Sequence, residues 1–122
     1  MSAFKRFDGD WVSLRKLGPV EVDLHQGRRD PTRKSYDEAM GDTAELVRNE
    51  LRKAHESGAE YVMFMHGRST SMGWRGTTAR SVVREVMRSR EATPYIVRSE
   101  CLQGDTVFLA RIRAAQAAVA TA

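Results

Sequence analysis

Two short stretches of the chain carry side chains that could perform acid–base or phosphate chemistry. Asp23-Leu24-His25 follows a segment that alternates apolar and polar residues, and His66-Gly67 follows an apolar run. Histidine can transfer a proton near neutral pH, and a carboxylate can orient a histidine or hold a divalent cation beside a phosphate. If the two segments are neighbouring parallel strands, Asp23, His25 and His66 lie at one edge of the same sheet. The alternative is structural: Asp23 or His25 caps a loop, and His66 ends a strand.

A glycine- and hydroxyl-rich loop, residues 66–78, follows the second stretch. Backbone amides between a strand and a helix can collect an anion, so this loop is predicted to face phosphate. Trp74 could stack on an unpaired base or could anchor the loop against the core. The loop lacks the Gly-Lys-Ser/Thr of a Walker motif, which disfavours ATP hydrolysis. The candidate nucleic-acid-binding residues of the loop are Gly67, Arg68, Ser69, Thr70, Ser71, Trp74, Arg75 and Thr77.

The segment after this loop is predicted to be a helix with arginines along its outer face. Arg80, Arg84 and Arg88 are spaced four residues apart, so they share one side of an α-helix. They could follow a phosphate backbone. The alternative is a solvated face on which Glu85 pairs with its neighbours.

The charge of the chain is unevenly distributed. The formal net charge is +4, but residues 37–60 hold three basic and seven acidic side chains, whereas residues 61–122 hold nine basic and four acidic ones. All nine of those basic residues are arginine. The planar arginine fork matches phosphate oxygens two at a time, so the C-terminal half is the predicted polyanion face. The alternative is a basic protein with an ordinary solvated surface, which could carry the same net charge.

Composition excludes several classes of protein. The 122 residues suffice for one domain with a real core, and no apolar run approaches the roughly 20 residues of a membrane helix. The single cysteine, Cys101, cannot form a disulfide within the chain, and three scattered histidines show no zinc-ligand spacing. The polar, basic residues at the start of the sequence do not match the pattern of a secretory signal, so we expect none. We therefore expect a cytoplasmic protein with no membrane partner.

Strands and helices are predicted to alternate along the chain. Val20, Val22 and Leu24 are expected to point inward from the first full strand. Ser35 is a fair N-cap for a long amphipathic helix, and Gly58 supplies its stop signal. In chain order the predicted elements are a strand at residues 20–25, a helix at 35–55, a strand at 60–65, a helix at 79–90 and two strands at 94–98 and 106–112.

These elements define a fold class. Gly104-Asp105 in the last connection predicts a hairpin of the two closing strands. Residues 1–19 are expected to form an N-terminal arm or a short extra strand, with partial alternation at 11–17, and residues 114–122 form an alanine-rich tail. The class is α/β, specifically an α+β two-layer sandwich with two main helices on a mixed sheet, in the order (β)-β-α-β-α-β-β.

Residues 20–113 resemble the Smr (small MutS-related) domain. The resemblance rests on Asp23-Leu24-His25 after a strand, on His66-Gly67 before an anion-type loop, and on Thr106-Val107-Phe108-Leu109 in the last strand. It implies a fold like the C-terminal domain of a translation initiation factor, and DNA or RNA as partner. In some members of the family it also implies a metal-dependent endonuclease or nicking activity. Two positions differ from the family pattern, because Gln26 replaces a glycine and Gly67 is followed by Arg68-Ser69 instead of x-Gly.

Three hypotheses follow for the function. The first is a nucleic-acid-binding Smr-like module without strong catalysis. The second is a DNA or RNA nicking endonuclease that uses Asp23, His25 and His66, with Asp23 as ligand of a divalent cation (Mg or Mn). The third is a non-catalytic module that binds a small phosphate or another protein.

Overall fold

A computed structural model describes residues 4–24, 36–67 and 79–114, with the backbone alone for residues 36–40. The strands are β1 (Lys5–Arg6), β2 (Val20–Asp23), β3 (Tyr61–Met65), β4 (Leu102–Gln103) and β5 (Val107–Arg111). The helices are α1 (Tyr36–Ser57) and α2 (Ala79–Arg88), with 3-10 helices at Trp11–Leu17 and Arg98–Glu100.

All five strands form one mixed sheet in the order β1-β4-β5-β3-β2. β2 is parallel to β3 and β1 is parallel to β4, whereas β5 pairs antiparallel with both β3 and β4. Strands β1 to β4 therefore all run in one direction and β5 runs in the other. The predicted α+β class with a mixed sheet is confirmed.

The direction of each crossover determines which face of the sheet its connection covers. The chain moves from β2 to β3 and then from β3 to β4 in the same direction across the sheet, so right-handed crossovers place α1 and α2 on one face. The step from β1 to β2 runs in the opposite direction. The same handedness therefore places the first 3-10 helix on the other face.

The buried residues form two clusters that match this arrangement. On the helix side, Phe64 and Phe108 face each other across β3 and β5, and both are fully buried. They pack with Leu51 of α1 and Val83 of α2. On the opposite face, Leu14 of the first 3-10 helix packs against residues of β3 and β5, namely Met63, Val107 and Leu109. The N-terminal segment thus adds a partial third layer to the predicted sandwich.

Residues 11–17 were expected to be a short strand or part of an arm; the segment is a 3-10 helix, and the short strand of the N-terminal region lies at Lys5–Arg6. Asp10 caps the start of this 3-10 helix, with the side chain accepting a hydrogen bond from Val12 N at 3.1 Å. Gly18 ends it in the left-handed conformation at φ 68°, and its N–H donates to Arg15 O. Local capping therefore outweighs a weak alternation pattern.

The strand predicted at 94–98 is also wrong in its position. Only Ile96 forms a bridge there, to Ile112, and the strand that precedes β5 in the chain and pairs with it, β4, begins a few residues later at Leu102. The Arg98 guanidinium explains why the strand starts later than predicted. It donates to Met87 O at 3.0 Å and to Ser89 O at 2.6 Å, and so holds a turn against the end of α2. Pro94 removes one further backbone donor from this segment.

The remaining predicted boundaries agree closely with the structure. α1 ends at Ser57, and Gly58 follows with φ 81°, as expected of a glycine stop signal. The closing hairpin has Gly104 in its connection, where Gly104 N donates to Val107 O at 2.9 Å. Within the described residues, neither helix combines the length and the apolar character needed to cross a membrane.

Candidate functional site

The ends of the strands create a polar edge of the sheet, which we call the strand-end rim. β2, β3 and β4 all finish at this edge, and β5 begins there. Ligands of open α/β sheets gather beyond the carboxyl ends of parallel strands. The rim consists of Asp23, His66, Gly67, Gly104 and Thr106.

Asp23 and His66 stand at adjacent strand ends. Asp23 is the register partner of Met65, the residue before His66, and the N–H of the following Leu24 donates to Met65 O at 3.1 Å. The two strands are parallel neighbours, as the prediction of a shared sheet edge required. Asp23 is exposed on the edge strand of the sheet.

His66 is held in a defined position. Its side chain is buried, with only 2% of its surface exposed, and Nδ1 lies 2.8 Å from Gly67 O. Because a carbonyl oxygen can only accept, Nδ1 carries a proton in this contact, and a neutral ring with this hydrogen bond has its lone pair on Nε2. This tautomer is the one expected of a histidine that acts through Nε2.

The backbone after β3 is tied to the start of β5. Thr106 O accepts hydrogen bonds from His66 N at 3.1 Å and from Gly67 N at 3.0 Å. Gly67 has φ 80°, a left-handed conformation that side chains disfavour, so a glycine is needed where the chain leaves the sheet. The start of the predicted anion loop is therefore fixed to the rim.

The three arginines of α2 differ in their surroundings. Arg84 is half-buried, and its Nη2 donates to Gly104 O at 3.1 Å, so it connects the helix directly to the rim. Arg88 is exposed and Arg80 is partly exposed. Of the arginine stripe that the sequence predicted to be exposed, Arg88 is exposed, whereas Arg80 and Arg84 are both partly buried.

Burial lowers the pKa of Arg84 below its usual value, and the neighbouring charge of Arg80 lowers it further. Arg88 acts in the same direction, whereas Asp105 opposes it. The guanidinium stays protonated at neutral pH, so the lowered pKa reports burial of the charge first and crowding by neighbouring arginines second. An anion bound here would relieve that crowding.

The other predicted site residues lie outside the described part of the chain. One is His25, the second histidine of the proposed catalytic set. The rest belong to the predicted phosphate loop: Arg68, Ser69, Thr70, Ser71, Trp74, Arg75 and Thr77.

A divalent cation would have Asp23 as its ligand in this site. Hard cations such as Mg²⁺ commonly bind through one or two carboxylates together with substrate phosphates and water. An exposed strand-end carboxylate fits that mode. Among the described residues, no group of three or more His, Cys, Asp or Glu side chains forms a complete protein cage for a metal.

Cys101 belongs to the core. It is fully buried, and its Sγ lies 3.4 Å from Arg111 N, which donates to it. Burial raises the pKa of its thiol above the ordinary value, which disfavours the reactive thiolate. Its role is therefore packing against β5.

Comparison of the chain with protein-family models, curated proteins and solved structures found no match.

Proposed function

We propose that this protein binds the phosphate backbone of DNA or RNA at the strand-end rim and along α2, as an Smr-like domain of the cytoplasm. The observation that carries the proposal is the contact of Arg84 with Gly104 O, at 3.1 Å. It joins an arginine-bearing helix to the edge where ligands of such sheets collect. The candidate binding residues of the described part are Gly67, Arg80, Arg84 and Arg88.

The orientation of α2 supports the same proposal. A helix that connects parallel strands runs antiparallel to them, so α2 begins at the carboxyl ends of the strands, close to the rim. Backbone N–H groups at a helix start favour anions. The chain between Gly67 and Ala79 contains the hydroxyl-rich loop, so the donors of loop and helix would serve one phosphate-binding surface.

The salt dependence of binding tests this function. A short labelled DNA duplex and a matched RNA would be titrated with the protein by fluorescence anisotropy, between about 50 and 200 mM salt. We expect the logarithm of the binding constant to fall linearly with the logarithm of salt concentration, with a slope of roughly −0.9 for each phosphate contacted on duplex DNA. Binding that ignores ionic strength, or saturation by inorganic phosphate with no nucleic-acid binding, would contradict the proposal.

A nicking endonuclease is the second candidate, and the adjacency of Asp23 and His66 at neighbouring strand ends favours it. In this mechanism Asp23 would hold a Mg²⁺ or Mn²⁺ ion against the scissile phosphate, where the cation supplies charge stabilisation. His25 and His66 would move protons to or from the reacting oxygens. The buried position of His66 also suits a purely structural role.

Plasmid nicking separates catalysis from binding alone. We expect supercoiled plasmid to be relaxed by the wild-type chain with Mg²⁺ or Mn²⁺, and the activity to fall to background in Asp23→Ala and in His25→Ala. Both variants should keep salt-dependent binding, because neither removes a positive phosphate ligand of α2. Nicking that survives both substitutions would eliminate this catalytic assignment and leave a non-catalytic phosphate-binding or protein-interaction module.

A further inference from the structure

We propose that the N-terminal segment completes the nucleic-acid interface, with Arg6 of β1 binding the same phosphodiester backbone as Arg80 and Arg88 of α2. The inference rests on the proposed phosphate-binding function. It extends the interface to a part of the chain in which the sequence pattern indicated only an arm or a short strand.

The alternation of β1 determines the side on which Arg6 lies. Phe4 packs in the helix-side core, with its ring edge-to-face against Phe108 at 5.0 Å between centroids. Phe7 packs in the cluster on the opposite face. Because successive strand residues point to opposite faces, Arg6 shares the side of Phe4 and therefore the side of α2.

Hydrogen bonds bring Arg6 and Arg84 to the same place on the sheet. Arg6 is the register partner of Gln103, and the next residue, Phe7, donates its N–H to Gln103 O at 3.0 Å. Arg84 contacts Gly104, the residue after Gln103, from the helix side of the sheet, by donating to Gly104 O. Arginines from two elements therefore flank the end of β4.

Two polar atoms near the end of β4 are consistent with a surface that receives a ligand. Arg84 Nε and Gln103 Oε1 are buried, and neither has a hydrogen-bond partner among the described residues. Buried polar groups are normally paired. A phosphate oxygen would accept from Arg84 Nε, whereas Gln103 Oε1 is itself an acceptor and would need a water molecule as its donor.

The charges at the corner act on one another. We call Arg6, Arg80, Arg84 and Arg88 the arginine corner. The positive charge of Arg6 is the smallest of the causes that lower the pKa of Arg84, after burial, Arg80 and Arg88. The carboxylate of Asp105 affects both arginines. It raises the pKa of Arg6 and opposes the lowering of the pKa of Arg84. Asp105 therefore offsets part of the positive field that an anion would meet, in addition to Asp8, which has the largest effect on the pKa of Arg6.

Arg6 is available to a ligand. Its Nε lies 3.0 Å from Asp8 Oδ1, but the two side chains are 76% and 78% exposed. Such exposed pairs contribute little to stability and are screened by salt. A phosphate that accepts two hydrogen bonds from the guanidinium could replace the Asp8 contact.

Arg6→Gln and Arg6→Lys test the assignment, with Arg52→Gln on the exposed side of α1 as the matched control for the loss of one arginine. Each variant would be titrated with the same labelled duplex across the same salt series. Arg6→Gln should make the salt slope shallower by about 1 and weaken binding roughly five- to tenfold near 0.1 M salt. Arg6→Lys should retain most of the slope, and Arg52→Gln should match the wild type.

Asp105→Asn provides a test of opposite sign. Removing this carboxylate should strengthen binding severalfold, because it leaves the arginine corner more positive. If Arg6→Gln and Asp105→Asn both bind as the wild type does, while the wild type retains its salt dependence, the role of Arg6 is overturned and the proposed function stands. A wild-type chain with no salt-dependent binding overturns both. Thermal melting of each variant checks that β1 remains docked.

Discussion

Replacing Arg80 and Arg88 together by glutamine is expected to weaken duplex binding by roughly 50- to 100-fold near 0.1 M salt, and to make the salt slope shallower by about 2. Each phosphate contact on duplex DNA releases about 0.9 counterions, so each lost contact makes the salt slope shallower by about that amount. Two lost contacts together therefore give the expected loss of affinity near 0.1 M salt. Arg84 is left intact because it donates to Gly104 O, and its removal would also change the packing of α2 on the sheet. Anisotropy titrations across a salt series measure both quantities.

A matched double variant on α1 separates this effect from a general loss of positive charge. Arg52→Gln with Lys53→Gln removes the same number of positive charges from exposed positions, and the exposed Lys53 pairs with Glu50 at 3.3 Å. We expect it to bind within about twofold of the wild type, because exposed charges more than a Debye length from the ligand are largely screened. Equal losses in the two double variants would show that the protein binds through net charge and has no arginine-bearing face.

The second large effect concerns the core. Phe64→Ala is expected to lower the free energy of unfolding by about 3–5 kcal/mol. Phe64 is fully buried at the centre of β3, opposite Phe108 of β5, with helices covering that face. Truncation loses the transfer free energy of the ring and leaves a cavity that neighbouring strands cannot close. Urea unfolding followed by far-ultraviolet circular dichroism measures the change.

Phe64→Leu serves as the comparison for the alanine variant. It conserves most of the apolar volume, so its cost should be about 1–1.5 kcal/mol. A loss of less than about 1 kcal/mol in Phe64→Ala would mean that the sheet lacks the tight two-sided packing described above. The free energy of unfolding of a typical domain is only about 5–15 kcal/mol, so the alanine variant should also unfold at a markedly lower urea concentration.

The main elements could be predicted because their patterns are long and regular. Val47 and Leu51 of α1 and Val83 of α2 recur at helical spacing, and all three are buried as that spacing requires. The apolar run of β3 predicted a strand covered on both faces, which the two core clusters confirm. Periodicity works here because burial acts on every turn or every second residue of an element.

Short elements were not predictable in the same way. Val20 was expected to point inward but is 42% exposed, since β2 is an edge strand and Val20 is its first residue. β1 and β4 have only two residues each, too few for any periodic signal. Their pairing depends on partners far away in the chain, so local sequence does not reveal it.

For the candidate site, the sequence alone determined the chemical groups: a carboxylate and a histidine after successive strands, a glycine-rich loop, and arginines four residues apart. Tertiary structure decided which of these groups meet. Parallel pairing of β2 with β3 brings the ends of these two strands together, and with them the backbone positions of Asp23 and His66, and burial gives Arg84 a different environment from Arg88. It also carries Arg6, nearly a hundred residues before Gln103, to the arginine corner. The reason is physical: which residues a strand end faces depends on the order and direction of strands in the sheet, and that order is set by long-range hydrogen bonding and crossover handedness, which a local pattern does not encode.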